Sequence, residues 1–257
     1  MESNYKAFNF EKSRERLDDI LNSTSSFEEK DTIPSRDQLT YTNGYYVNCS
    51  SLFIDLRDSS KLPERHQSKV LAKIYRSYIS EAVAIINGEI NCKEINIVGD
   101  CVSAIFESQY KYQIDGVFST IARLKSLIDV LNYKLEKKGY STIKAGIGAS
   151  YGRVLMIKAG YSGSTINDVV YMGEAVNKAS KMCSKASKEI SSPIVVTSVF
   201  FNNLNADNQK MLTHKYLDDL YHGSVVNIEM NNWLDEQRKK DEERKKKDSS
   251  NSWNSWL

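Results

Sequence analysis

EINIVGDCVSAIF, residues 94–106, is the stretch whose reading decides the fold. Apolar and polar residues alternate on both sides of Gly99–Asp100. That pattern predicts two strands, 94–98 and 101–106, joined by a two-residue hairpin turn. Upstream, YYVNCSSLFIDL (45–56) is rich in β-formers and ends in Leu52–Phe53–Ile54, a run suited to a buried strand closing at Asp55. The polar turn Arg57–Asp58–Ser59–Ser60 follows. Pro63 then stands where a first-turn proline would open a long helix, with Val70, Leu71, Ile74, Tyr78, Ala82, Ile85 and Ile86 on its apolar face and Gly88 at its end. Downstream, residues 115–138 repeat apolar side chains at helical spacing, and Gly139 is placed as a C-cap. Two strands are predicted at 142–150 and 153–158 with Gly152 at their turn. A Gly/Ser/Thr-rich loop (160–168), a helix (174–188) and a short strand (193–197) come after them.

The order is strand–helix–strand–strand–helix–strand, followed by further elements. It predicts an α+β fold: a ferredoxin-like βαββαβ core with extra C-terminal strands and helix. Three regions are expected: an N-terminal helix and linker (1–40), a core domain (41–230) and a charged, flexible tail (231–257). In the first, residues 8–22 read as a short amphipathic helix, and Ser23–Arg36 reads as a linker broken by Pro34. In the last, DEQRKKDEERKKK (235–247) interleaves acids with bases, which suits a solvated helix better than a nucleic-acid or membrane contact. Trp253 and Trp256 fall in the polar end, read as disordered.

Composition excludes several classes. Hydrophobic residues make up 40% and charged residues 26%, a soluble balance. No apolar run approaches the roughly 18–20 residues needed to span a bilayer, and Met1–Lys6 lacks the pattern of a signal peptide, so a cytoplasmic protein is expected. A net charge of +2 gives no argument for nucleic acid. Cys49, Cys92, Cys101 and Cys183 are scattered without zinc spacing and read as reduced thiols.

Three features suggest chemistry. Asp55 ends a buried strand and Asp100 occupies the hairpin turn. In a ferredoxin-like sheet these elements are neighbours, so the carboxylates can converge to hold Mg²⁺. Taken singly, each is more simply an ordinary turn aspartate. Arg57–Ser60 leads into a helix N-terminus, where backbone amides favour a phosphate or merely form an N-cap. In VNKASKM (176–182), Asn177 and Lys181 share one helix face. An amide and a cation there can position a ribose and meet charge on a phosphate, although a solvated polar face is the plainer reading.

FIDLRDSS (53–60), INIVGDCVSAIF (95–106), KAGIGASYGRV (144–154) and YMGEAVNKASKM (171–182) together resemble the class III nucleotidyl cyclases, in that family's order. The resemblance covers roughly residues 46 to 230. It implies a head-to-tail homodimer with active sites at the interface, and two divalent cations per site, Mg²⁺ or Mn²⁺. The family's metal aspartates match Asp55 and Asp100, with the Leu56 carbonyl as a further ligand. Arg57, Asp58, Ser59 and Ser60 match its phosphate-binding turn, and Asn177 matches its ribose-orienting asparagine. Lys181 stands where the family usually has an arginine, which keeps the charge but loses the planar fork. A late phosphate-binding lysine has no clear match; His222 beside Gly223 lies in that region and reads more simply as surface loop.

Base specificity follows the same comparison. Asn96 occupies the position of a lysine in adenylate cyclases and a glutamate in guanylate cyclases. Val170 occupies a second base-reading position. Neither purine pattern is intact, and Tyr171 suits a smaller base. Residues 33–60 and 166–177 further resemble the pyrimidine cyclases of bacterial Pycsar anti-phage defence. That resemblance implies a UTP or CTP cyclase, UTP slightly preferred, whose cyclic nucleotide acts on a separate effector protein. The alternatives are an adenylate cyclase making cAMP and a cyclase-like nucleotide-binding module without catalysis.

Overall fold

A computed structural model of the chain describes residues 5–161 and 167–254, and leaves the side chains of 217 and 248–254 undescribed. The elements run α1 (Phe10–Asn22), β1 (Ser26–Lys30), β2 (Asn43–Arg57), α2 (Leu62–Arg65), α3 (Ser68–Asn87), β3 (Cys92–Val98), β4 (Cys101–Glu107), α4 (Lys111–Lys137), β5 (Lys144–Gly160), β6 (Asn167–Met172), α5 (Glu174–Lys185), β7 (Ile194–Thr197), α6 (Ser198–Asn202), α7 (Ala206–Lys210), β8 (Thr213–Lys215), β9 (Leu220–Gly223) and α8 (Ile228–Asn254). The main sheet has the order β3-β4-β2-β5-β7-β9-β8. Its first four members are the strands of the expected split βαβ core.

Alternation along β2 sorts the two faces of the sheet. Leu52, Ile54 and Leu56 join Val102, Ala104, Phe106, Ile147 and Ala149 in one core, covered by Ile74 and Tyr78 of α3 and by Phe118, Ile121 and Leu124 of α4. The intervening residues, Ser51, Phe53 and Asp55, therefore face the other side. There α5 packs across β5. It approaches so closely that a Cβ on Gly148 would lie 2.0 Å from the Cys183 nitrogen and 2.4 Å from the Ala179 oxygen. Glycine at 148 is what lets the helix backbone rest on the strand.

The structure departs from the sequence reading in several places, among them residues 167–168, read as loop, which open β6. The two strands expected around Gly152 are one strand, β5. Gly152, at φ +156°, pairs with Cys49 and carries the strand through the expected turn. The helix expected to open at Pro63 is split. His66 takes an extended backbone between α2 and α3, and its Nε2 accepts the Ser141 amide at 3.1 Å. The segment 23–36 is no simple linker: β1 pairs in parallel with Asn43–Val47 of β2. Leu39, in the strap 31–42 that follows, is 4% exposed. At the other end α8 is docked. Leu234 is 2% exposed, and Asp241 accepts the Tyr133 hydroxyl at 2.8 Å and pairs with Lys137 at 2.5 Å. Packed structure thus extends to both sides of 41–230. The N-terminal helix does form, with no residue of α1 buried. Part of the Gly/Ser/Thr-rich loop, residues 162–166, and Trp256 lie outside the described residues, as does the Trp253 side chain. Among the described residues, no helix is long and apolar enough to cross a membrane.

Candidate active site

Asp55 and Asp100 are brought together by the β2–β4 ladder. Ile54 pairs with Val102, so one step further along the register sets Asp55 across from Cys101, next to Asp100. Gly99 at φ +63° supplies the positive first position of the hairpin turn, and Asp100 takes the second. Burial, then repulsion from Asp100, holds the Asp55 carboxyl above the ordinary carboxylate range, against the opposing pull of Arg57. Asp100 Oδ2 is buried without a hydrogen-bond partner, and so is the Tyr78 hydroxyl. That hydroxyl lies near enough to sense the charges of Asp55 and Asp100. Buried orphan oxygens beside a second carboxylate are costly unless something binds there, and a divalent cation suits them. Among the described residues no group of three or more His, Cys, Asp or Glu gathers as a metal site. A cation here would draw its remaining ligands from backbone carbonyls, water or a substrate's oxygens. The Cys101 thiol, raised to about 11 by burial and these carboxylates, stays protonated beside them.

Arg57 is turned inward. Its Nη1 donates to Asp55 Oδ2 at 2.8 Å, its Nε to the Ala186 carbonyl at 2.9 Å, and its Nη2 to the Cys183 carbonyl. The last two acceptors close the C-terminus of α5, where a cation is favoured. Gly146 makes this possible, since a Cβ there would lie 1.9 Å from Nη2. The guanidinium is therefore already engaged by protein groups, leaving the turn's backbone as its surface toward a phosphate. Asp58 follows in the left-handed region at φ +54°, its carboxylate paired with Lys61 at 2.8 Å. Ser59 and Ser60 enter a single 3₁₀ turn, Ser59–Lys61, ahead of the four-residue α2. The long-helix dipole expected behind this turn is absent here, because α3 starts only at Ser68. A cleft of about 350 Å³ opens at this place, lined by Asp55, Leu56, Arg57, Asp58, Ser187 and Lys188.

Asn96 and Val170, 74 positions apart, line one pocket of about 330 Å³ with Ser51, Ser103, Tyr171 and Val176. The Ser51 hydroxyl in it is buried and unpartnered. Asn177 follows Val176 directly and stands one helical turn, about 6 Å, from Lys181. Both are exposed on α5, and neither side chain has a hydrogen bond or ion pair among the described residues. The pocket and this polar pair thus adjoin. His222, by contrast, is held on β9 with its Nδ1 2.8 Å from Ser192 Oγ. Sequence reading missed the inward turn of Arg57 and the Tyr78 hydroxyl. The i, i+2 glycines of KAGIGAS were the available signal for a close helix over that strand.

Comparison with known proteins gives this arrangement a context. The model for the adenylate and guanylate cyclase catalytic domain matches residues 42–220. A uridylate cyclase of Gulbenkiania mobilis is 46% identical over 93% of this chain and 100% of its own length. A uridylate cyclase of Treponema porcinum is 35% identical over 88% of this chain and 81% of its own. The solved structure of a bacterial light-regulated adenylyl cyclase superposes with a TM-score of 0.60 at 20% identity, covering 74% of this chain and 57% of that one.

Proposed function

The chain belongs to the adenylate and guanylate cyclase catalytic domain family, and on that footing we propose that it cyclises a pyrimidine nucleoside triphosphate, UTP before CTP. The observation that carries this reading is the full-length, 46% identical relative named a uridylate cyclase. The pocket supports it, since the residues at the two base-reading positions, Asn96 and Val170, share one small cavity, and Asn96 can both donate to and accept from a pyrimidine edge.

In the reaction the ribose O3′ attacks the α-phosphorus. A new O3′–P bond forms, the bond to the bridging oxygen of the β-phosphate breaks, the hydroxyl proton passes to solvent or a nearby base, and pyrophosphate leaves. Asp55, Asp100 and the Leu56 carbonyl would hold the divalent cations, Mg²⁺ or Mn²⁺. Bound there, such ions acidify the hydroxyl and neutralise the phosphates. The turn Arg57–Ser60 offers backbone to the polyphosphate, and Lys188 adds charge at the cleft. Asn177 orients the ribose, and Lys181 faces charge growing on the α-phosphate. Both project from an exposed helix face, which supports their serving a second copy of the chain in a head-to-tail homodimer. The cyclic nucleotide then signals to a separate effector protein, as in bacterial anti-phage defence.

The test is incubation with each of the four nucleoside triphosphates and Mn²⁺, followed by chromatography. Cyclic UMP, in excess over cyclic CMP, is the expected product. Cyclisation of ATP alone would refute the pyrimidine reading, and no product from any of the four would leave a binding module.

A further inference from the structure

Arg36 precedes the residues matched by the family model and lies in the strap that joins β1 to β2. The strap is fixed at both ends. Leu39 is buried, and the Ile33 amide donates to the Glu107 carboxylate at 3.3 Å. Between these anchors the Arg36 guanidinium donates to Asp168 Oδ1 on β6, and its Nε lies 3.9 Å from Glu94 Oε2 on β3. The same Asp168 oxygen accepts the Val169 amide at 2.8 Å. Asp168 lines the pocket that holds Asn96 and Val170, together with the unpartnered Ser51 hydroxyl. A cation from outside the matched region thus engages one oxygen of Asp168, the one carboxylate among the pocket's described lining residues.

We propose that Arg36, by engaging Asp168, sets the preference for uracil over cytosine; this rests on the pyrimidine reading above. The two bases differ at C4 and N3. Uracil offers a carbonyl acceptor at C4 and an N–H at N3, whereas cytosine offers an amino donor at C4 and a bare acceptor at N3. An unengaged carboxylate only accepts hydrogen bonds, so it selects the amino group of cytosine; a guanidinium only donates, so it suits the carbonyl of uracil. With Arg36 in place Asp168 Oδ1 is taken by two donors, the guanidinium adds a donor for the C4 carbonyl, and the Asn96 side-chain carbonyl can accept the uracil N3–H. A site whose polar groups are left unpaired by the wrong base discriminates strongly.

The experiment compares kcat/KM for UTP and CTP in the full chain. Arg36→Ala exposes the carboxylate and should raise the CTP-to-UTP ratio by about tenfold. Arg36→Gln, with a neutral side chain, should do the same and serves if the alanine variant folds poorly. Adding Asp168→Ala to either should bring the ratio back toward wild type, which loss of fold alone would not do. An equal loss on both substrates, leaving the ratio within about threefold of wild type, overturns the inference. A wild type that makes no cyclic pyrimidine nucleotide fails the earlier reading instead, so the two failures are told apart.

Discussion

Replacing Gly148 with alanine drives a methyl group into the backbone of α5. The new Cβ would stand 2.0 Å from the Cys183 nitrogen, 2.4 Å from the Ala179 oxygen and 2.6 Å from the Cys183 Cα. None of these atoms can rotate away, because all belong to the helix backbone. Restoring a normal contact of about 3.5 Å requires α5 to lift by about 1.5 Å. Overpacking of this kind costs about 1–3 kcal/mol, and each kcal/mol lowers the Tm of a chain this size by about 2–4 °C. The catalytic loss should be larger than the stability loss. Asn177 and Lys181 ride on α5, and a misplacement of about 1 Å costs on the order of 10²-fold in rate. The variant is therefore expected to melt a few degrees early while its kcat falls by about two orders of magnitude. Pyrophosphate release with UTP and Mn²⁺, run beside calorimetry, measures both. A kcat within about threefold of wild type, at unchanged Tm, would refute the seating of α5 on this strand and its role in positioning the pair.

Three further outcomes are expected. In Asp55→Asn without metal, the sign follows from the raised carboxyl: the folded wild type holds that proton more tightly than the unfolded chain, so its stability falls as pH rises through the raised pKa. The variant escapes that loss and should be the more stable protein near neutrality, with the gap closing in acid, as denaturation curves from about pH 4 to about pH 8 would record. Asn177→Ala and Lys181→Ala should each lower kcat on the order of 10²-fold with little change in KM, checked by steady-state kinetics. Leu234→Ala empties a buried site under α8 and should cost about 2–5 kcal/mol in urea unfolding, whereas an undocked tail would show no change.

The core was legible because its signals are local. Gly99–Asp100 announces a hairpin, and the apolar spacing of 115–138 announces a helix whichever partners they find. The juxtaposition of positions 55 and 100 also followed from strand order. What the sequence hid depends on contacts distant along the chain. SFEEK (26–30) has no buried residue and becomes a strand only because β2 offers it an open edge. Gly152 looks like a turn until Cys49 is found opposite. The charge run of 235–247 gave no hint that Asp241 meets Tyr133 and Lys137. Arg57 read as a phosphate ligand by its place in the turn, while two of the three groups it donates to lie more than 120 residues away in sequence.

Arg57 has a mechanical meaning as well. One planar group holds both a carboxylate at the tip of β2 and the closing carbonyls of α5, so the strand end and the helix are geared to each other. Any cation that draws Asp55 toward itself competes with the guanidinium, and the helix loses or keeps a tether accordingly. Asn177 lies nearer the start of that same helix, and Lys181 stands two residues before Cys183. A cation held by the acidic pair would therefore be felt, through a single side chain, along the lever that carries the amide and the ammonium.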